Sequence, residues 1–259
     1  MDLDIYTTEM SKSVWDKAFF MDKIIGAKCV IDFGCADGAM IRYLAPLFPD
    51  IFFIGYDMNN ELITRAREIG PFYPNTIYFC TKASNVNETL DYIKERFKSE
   101  EICINFSSVL HEVYSSTGGL VGIQYLIDQL QPRYITIRDM YCDEYLPIPP
   151  NVFRAVYNSV DKQAYNAYIK IFGIPVYWQG LTHLLMKIQW KDNGYEEELK
   201  ENYFSWEIDQ FIKDIGNNYS TVFNCRYQLP YLSEKWKQEY GWYNPDAHTH
   251  AQFILRRDD

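Results

Sequence analysis

Apolar residues fall in short unbroken runs that alternate with stretches of helical spacing. Cys29–Phe33, Ile51–Asp57, Thr76–Cys80, Glu101–Phe106 and Arg133–Arg138 each read as a buried strand. Between them Ala39–Ala45, Asn59–Ile69, Asn87–Phe97 and Leu120–Leu130 read as helices, with Pro46 ending the first and Asn59 capping the second. Ser11–Ile25 precedes the first strand with Val14, Ala18, Met21 and Ile25 on one face and Ser11 or Ser13 as its cap. Five strands alternating with helices predict a doubly wound, mostly parallel α/β sheet.

The alternation stops near Tyr145. Pro147, Pro149 and Pro150 mark a loop, and Val152–Phe172, Tyr195–Asn202 and Trp206–Ile215 read as helices, with Gly173, Pro175 and Gly180 punctuating the middle. Far longer than an ordinary connection of about 4–6 residues, 145–216 is expected to be a helical insert within a single domain spanning 1–259. Tyr219–Arg226 and Thr249–Arg256 supply two further strands around a short helix in Tyr227–Glu239.

Chemistry concentrates at the first strand. Cys29–Phe33 carries one acid, Asp32, and runs into Gly34-Cys35-Ala36-Asp37-Gly38 before a helix. A strand, a glycine turn and a helix start form a nucleotide-binding opening. Gly34-x-Ala36-x-x-Ala39 is a poor copy of the dinucleotide fingerprint, which argues against a nicotinamide-dependent oxidoreductase. Asp32, Gly34, Ala36 and Gly38 instead match the acid and looser glycine pattern of an S-adenosylmethionine (SAM) site, and Asp57 ends the second strand near the expected ~20 residues further on.

On these residues the chain resembles the class I SAM-dependent methyltransferases. The resemblance implies a seven-stranded sheet with its last strand antiparallel and inserted between the fifth and sixth. It implies SAM as cofactor, held by Asp32, Phe33, Gly34, Cys35, Ala36, Gly38, Asp57, Met58 and Ser107, with Asp57 on the ribose hydroxyls. The leading helix is expected to close over the ligand, with Tyr6, Trp15 and Lys17 as contacts. The family's acid after the third strand is missing from Thr81–Asn85, where Ser84 or Asn85 would serve the adenine or merely cap a helix.

The fourth strand is followed by Ser107-Ser108-Val109-Leu110-His111-Glu112-Val113-Tyr114. The motif of nucleic-acid amino-methylating members is absent, and a Leu-His pair there resembles members acting on small molecules. His111 is the candidate general base, because its ordinary pKa lies near neutrality; the competing role is packing. Glu112 and Tyr114 are lesser candidates. The insert, rich in Tyr and Trp, is expected to act as an acceptor-selecting lid or as an oligomer interface.

A net charge of −10 disfavours indiscriminate capture of nucleic acid. Six cysteines without a C-x-x-C pair, an acidic Met1–Asp4 and the lack of a long apolar stretch lead to the expectation of a reduced, cytoplasmic chain with no membrane span. His248 and His250 share a strand face but gather no third ligand, so no metal is expected. The expected activity is methyl transfer to an O or N acceptor, a small molecule. The alternatives are an RNA or DNA modification enzyme and a non-catalytic SAM-binding module.

Overall fold

The computed structural model describes residues 14–80, 87–116, 119–192, 194–241 and 248–258. Tyr6, Ser11, Ser13, Ser84 and Asn85 lie outside them. In chain order the elements are α1 (Val14–Lys17), β1 (Cys29–Phe33), α2 (Ala39–Leu44), β2 (Phe52–Asp57), α3 (Asn60–Glu68), β3 (Thr76–Cys80), α4 (Asn87–Lys94), β4 (Ile102–Ser107), α5 (Leu110–Ser115), α6 (Gly119–Leu130) and β5 (Tyr134–Met140). There follow α7 (Pro150–Ser159), α8 (Lys162–Phe172), α9 (Trp178–Ile188), α10 (Tyr195–Glu198), α11 (Ile208–Asp214), β6 (Tyr219–Tyr227), α12 (Pro230–Tyr240) and β7 (His250–Arg257).

The seven strands form one sheet in the order β3-β2-β1-β4-β5-β7-β6. β1 to β5 pair in parallel. β7 runs against both of its neighbours: Arg257 N–H donates to Arg133 O on one side, and Asp258 N–H to Asn218 O on the other. This is the sheet expected from the sequence, with its last strand antiparallel.

The chain divides into two compact units. The first contains Met1–Asp139, Trp206–Asn224 and Gln252–Asp259. One of its cores gathers Val30, Phe53, Cys103 and Tyr134 from the strands with Ile41 and Leu44 of α2. β1 is buried at every position, as a central parallel strand should be. Asn59 caps α3 as its sequence position suggests, its Oδ1 accepting from Glu61 N–H at 3.0 Å and Leu62 N–H at 3.4 Å.

The second unit contains Met140–Ser205 and Cys225–Ala251. Its core is built from α7, α8, α9 and α12 around Val156, Tyr165, Leu184 and Trp236. The expected insert 145–216 lies in this unit as far as Ser205, and the unit also takes in Cys225–Ala251. α11 belongs to the first unit: Phe211 packs edge-on to Phe106 at 6.0 Å, and Asp214 accepts from Tyr114 Oη at 2.7 Å. The single helix expected over Val152–Phe172 is two, broken at Val160, and Asp161 caps the second by accepting from Ala164 N–H at 2.8 Å. α9 escaped the sequence reading because it starts beside Pro175 with Gly180 inside. Leu181 to Ile188 are also buried on every side, leaving no amphipathic stripe to see.

At the centre of the second unit His183 is buried among Tyr168, Phe172, Tyr203 and Phe204. Its Nε2 accepts from Tyr203 N–H at 3.2 Å, so the proton sits on Nδ1, 2.9 Å from Tyr168 Oη. Burial, then the Lys187 ammonium, hold its pKa down to about 3. An unfolded chain takes up this proton near the usual 6.5, so the stability His183 contributes is present above that value and is lost as pH falls towards 3, at about 1.4 kcal/mol per pH unit inside the window. Asp32 of the first unit, with its pKa raised to about 6, pulls the other way. The expected readout is therefore a difference: between pH 6.5 and 5, His183→Gln should lose less stability in urea than wild type. Equal losses would remove His183 from the acid response.

Candidate functional site

A row of three polar groups crosses the middle of the sheet. Asp32 of β1 stands opposite Asn105 of β4, and Asn105 opposite Thr136 of β5. Thr136 Oγ1 donates to Asn105 Oδ1 at 2.9 Å, and Asn105 Nδ2 donates to Asp32 Oδ1 at 2.8 Å. All three are buried. Burial raises the Asp32 pKa to about 6, against the opposing Asn105 hydrogen bond and Lys17 charge. A carboxyl so placed gains by meeting a cation.

Asp32 lies in the wall of a cavity shared with Lys17, Gly34, Cys35, Ala36 and Ser107. Ser107 is 7% exposed, and its Oγ has no hydrogen-bond partner among the described residues. Such an orphan fits a site that completes itself with a ligand. Lys17 enters from α1, which is tied down by Asp16: its carboxylate accepts from Arg138 Nε at 2.6 Å and Gln252 Nε2 at 2.9 Å. Burial, then the Arg138 charge, bring the Lys17 pKa down to about 8, while Asp32, Asp139 and Asp16 act in the other direction.

The loop from Gly34 to Gly38 is pinned to the end of β2. Gly34 and Cys35 donate N–H to Tyr56 O at 2.8 and 3.2 Å, and Ala36 to Asp57 Oδ2 at 3.0 Å. Gly38 donates to Cys35 O, and Ala39 to Asp37 Oδ1. Asp57 is half-buried, its other oxygen accepts from Asn59 N–H at 2.8 Å, and burial raises its pKa. Each oxygen keeps a further lone pair for a ligand hydroxyl. Gly34 has φ of +77°, and a Cβ there would lie 2.9 Å from Val109 Cγ2. The Tyr78 ring fills the space over Gly55, leaving no room for a Cβ.

This pattern decides between ligands. Five of the N–H groups that a pyrophosphate would approach, those of Gly34, Cys35, Ala36, Gly38 and Ala39, are already taken by protein oxygens. Asp32 also stands on the cavity wall, where its carboxylate disfavours a polyanion, while Asp37 is paired with Arg42 at 3.0 Å. The cavity suits a ligand with a cationic group.

Of the residues singled out from the sequence, Asp32, Gly34, Cys35, Ala36, Ser107 and Lys17 come together at the cavity. Phe33, Gly38, Asp57, Met58 and His111 are not part of its wall. Phe33 stacks on Tyr56 at 5.1 Å, and Met58 is 68% exposed. Trp15 is exposed against Tyr43. Tyr114 serves α11, as described, and Glu112 is exposed. His250 is buried with Nδ1 2.9 Å from Thr249 Oγ1. No cluster of three metal-ligating side chains occurs among the described residues.

His111 has a partner that sequence reasoning missed. Asp139, wholly buried at the end of β5, places Oδ1 2.7 Å from His111 Nδ1. Its Oδ2 accepts from the backbone N–H groups of Leu110 and His111 at 2.6 and 3.2 Å, so it also holds the first turn of α5. Asn105, Asp37 and Tyr78 were missed too. The signal for Asn105 was present, as a lone amide within the apolar run Ile102–Phe106.

No protein-family model and no characterised protein sequence matches the chain. Solved structures do. The methyltransferase domain of bacterial-CtHen1-C superposes with a TM-score of 0.54 at 10% identity, over 96% of this chain and 98% of the other. The plantazolicin methyltransferase BpumL, in complex with a triazolic desmethylPZN analog and SAH, gives 0.53 at 13% identity, over 100% of this chain and 89% of the other. The chain thus has the Rossmann-like fold of the class I methyltransferases.

Proposed function

We propose that this chain is a SAM-dependent methyltransferase that moves a methyl group to an O or N atom of a small-molecule acceptor. The observation that carries this is the cavity of Asp32, Lys17 and Ser107, whose Oγ has no partner among the described residues, beside a loop in which the amides of Gly34, Cys35, Ala36 and Gly38 are bonded within the protein. These residues suit a zwitterionic, cationic nucleoside better than a dinucleotide. The similarity in fold to a methyltransferase crystallised with SAH agrees with it. The net charge of −10 favours a small acceptor over a nucleic acid.

When bound, SAM supplies an electrophilic methyl group on a sulfonium. The chain's part is to hold and orient, and close alignment of donor and acceptor carries most of such a reaction. Asp32 faces the cationic end, and Asp57, beyond the loop, takes the ribose hydroxyls. His111 receives the acceptor's proton: Asp139, accepting from Nδ1–H, fixes the tautomer whose lone pair is on Nε2. Acceptor choice is assigned to the second unit, whose chain leaves β5 at its carboxyl end and is rich in aromatic side chains.

Transfer of labelled methyl from SAM into a small-molecule extract, with the product identified by mass spectrometry, tests the proposal. Label only in RNA, DNA or protein would correct the acceptor, and SAM binding without transfer would leave a binding module. Asp57→Ala is expected to weaken SAH binding by about 1.5–3 kcal/mol, the value of a charge-assisted contact. Asp57→Asn, which keeps one oxygen for the Ala36 amide, should lose less. Unchanged calorimetric affinity in both variants would dismiss Asp57 from the ribose.

A further inference from the structure

We infer that the Lys17 ammonium receives the carboxylate at the amino-acid end of the nucleoside ligand, so that this site selects ligands that keep that carboxylate. The inference rests on the cofactor reading above and names the residue that discriminates within it. Lys17 is 7% exposed, yet it has no hydrogen-bond or ion-pair partner among the described residues. A buried ammonium is costly unless it is paired.

The three acids whose charges act on it are engaged elsewhere, Asp139 with His111 and the first amides of α5. Asp16, the preceding residue, is committed to Arg138 and Gln252. Asp32 accepts from Asn105 across the sheet. Lys17 and Asp32 thus give one cavity a positive and a negative wall, with the orphan Ser107 Oγ as a neutral donor in the same lining. A free amino-acid group carries the matching pair of charges: its ammonium suits Asp32 and its carboxylate suits Lys17. A ligand without the carboxylate would enclose the Lys17 ammonium with the charges of Asp32, Asp139 and Asp16 nearby but no hydrogen-bond partner in contact with it, and an unsatisfied buried donor is what makes a polar site discriminate strongly.

Calorimetry on the full chain tests this with two probes, S-adenosylhomocysteine and its decarboxylated analogue S-adenosyl-3-thiopropylamine. Wild type is expected to prefer the carboxylate-bearing probe by about 10- to 100-fold. Lys17→Met should abolish the preference by weakening S-adenosylhomocysteine alone, while Lys17→Arg should retain much of it. Binding of the analogue reports that the variant is folded. Equal weakening of both probes in Lys17→Met, or no weakening of either, would overturn the assignment. Should Lys17→Met fail to fold, the wild-type ratio decides, and a ratio near one overturns the inference while leaving the cofactor reading intact. Wild type that binds neither probe overturns the cofactor reading, and the Lys17 assignment with it.

Discussion

Gly34→Val is expected to reduce affinity for SAH on the order of 100-fold or more, through two costs that act together. Gly34 has φ of +77°, a conformation a β-branched residue strongly resists. A Cβ at this position would also stand 2.9 Å from Val109 Cγ2 and 3.2 Å from Val109 Cβ. Each cost is about 1–3 kcal/mol. Such a Cβ would push on the segment leading into α5, and so towards His111. Gly34→Ala with Val109→Ala separates the two. Removing the valine methyl groups should recover part of the binding, because it relieves contact and leaves backbone strain. Normal binding by Gly34→Val with a native circular dichroism spectrum would contradict the account.

His111→Ala is expected to lower turnover by roughly 10²–10⁴-fold while changing SAH affinity little, if the imidazole accepts the acceptor's proton. The geometry provides a sharper form of this experiment. Asp139 holds Nδ1 and also the first two amides of α5. Asp139→Asn removes the charge that favours the working tautomer and keeps a side-chain oxygen for the helix. It should shift the pH profile of turnover and lower kcat more than it raises KM. A loss of thermal stability with an unchanged profile would make the pair a device for anchoring α5. A wild-type rate in His111→Ala would remove the base from the mechanism.

The parallel strands were legible because burial on both faces leaves them as apolar runs of strand length, as in Cys29–Phe33 and Ile102–Phe106. The glycine loop was legible because Asp32, Gly34, Gly38 and Asp57 are close in sequence or at a spacing set by one β-α-β unit. Asp139 was not, because its meaning is its distance to His111, 28 positions earlier, and only the pairing of β4 with β5 brings the two together. α9 was hidden by its own burial, and the break between α7 and α8 rests on a local choice at Asp161 between continuing a helix and capping a new one. Helical spacing alone does not report either.

The polar row from Asp32 through Asn105 to Thr136 bears on how the chain folds. Parallel strands join segments distant in sequence, and mispairing by one position costs little where neighbours are uniformly apolar. Here β1 and β4 meet across 73 positions. A shift of β4 by one position would set the Asp32 carboxyl against Ile104 or Phe106 in the interior, with no donor to satisfy it. A buried polar group left in that state costs about 1–3 kcal/mol, and more when charged. The amide that bonds Asp32 is therefore expected also to act as a proofreading contact, disfavouring the wrong alignment of β4 on β1. Asn105→Leu should accordingly slow productive refolding and raise the yield of misassembled chains, even under conditions where its finished sheet is stable.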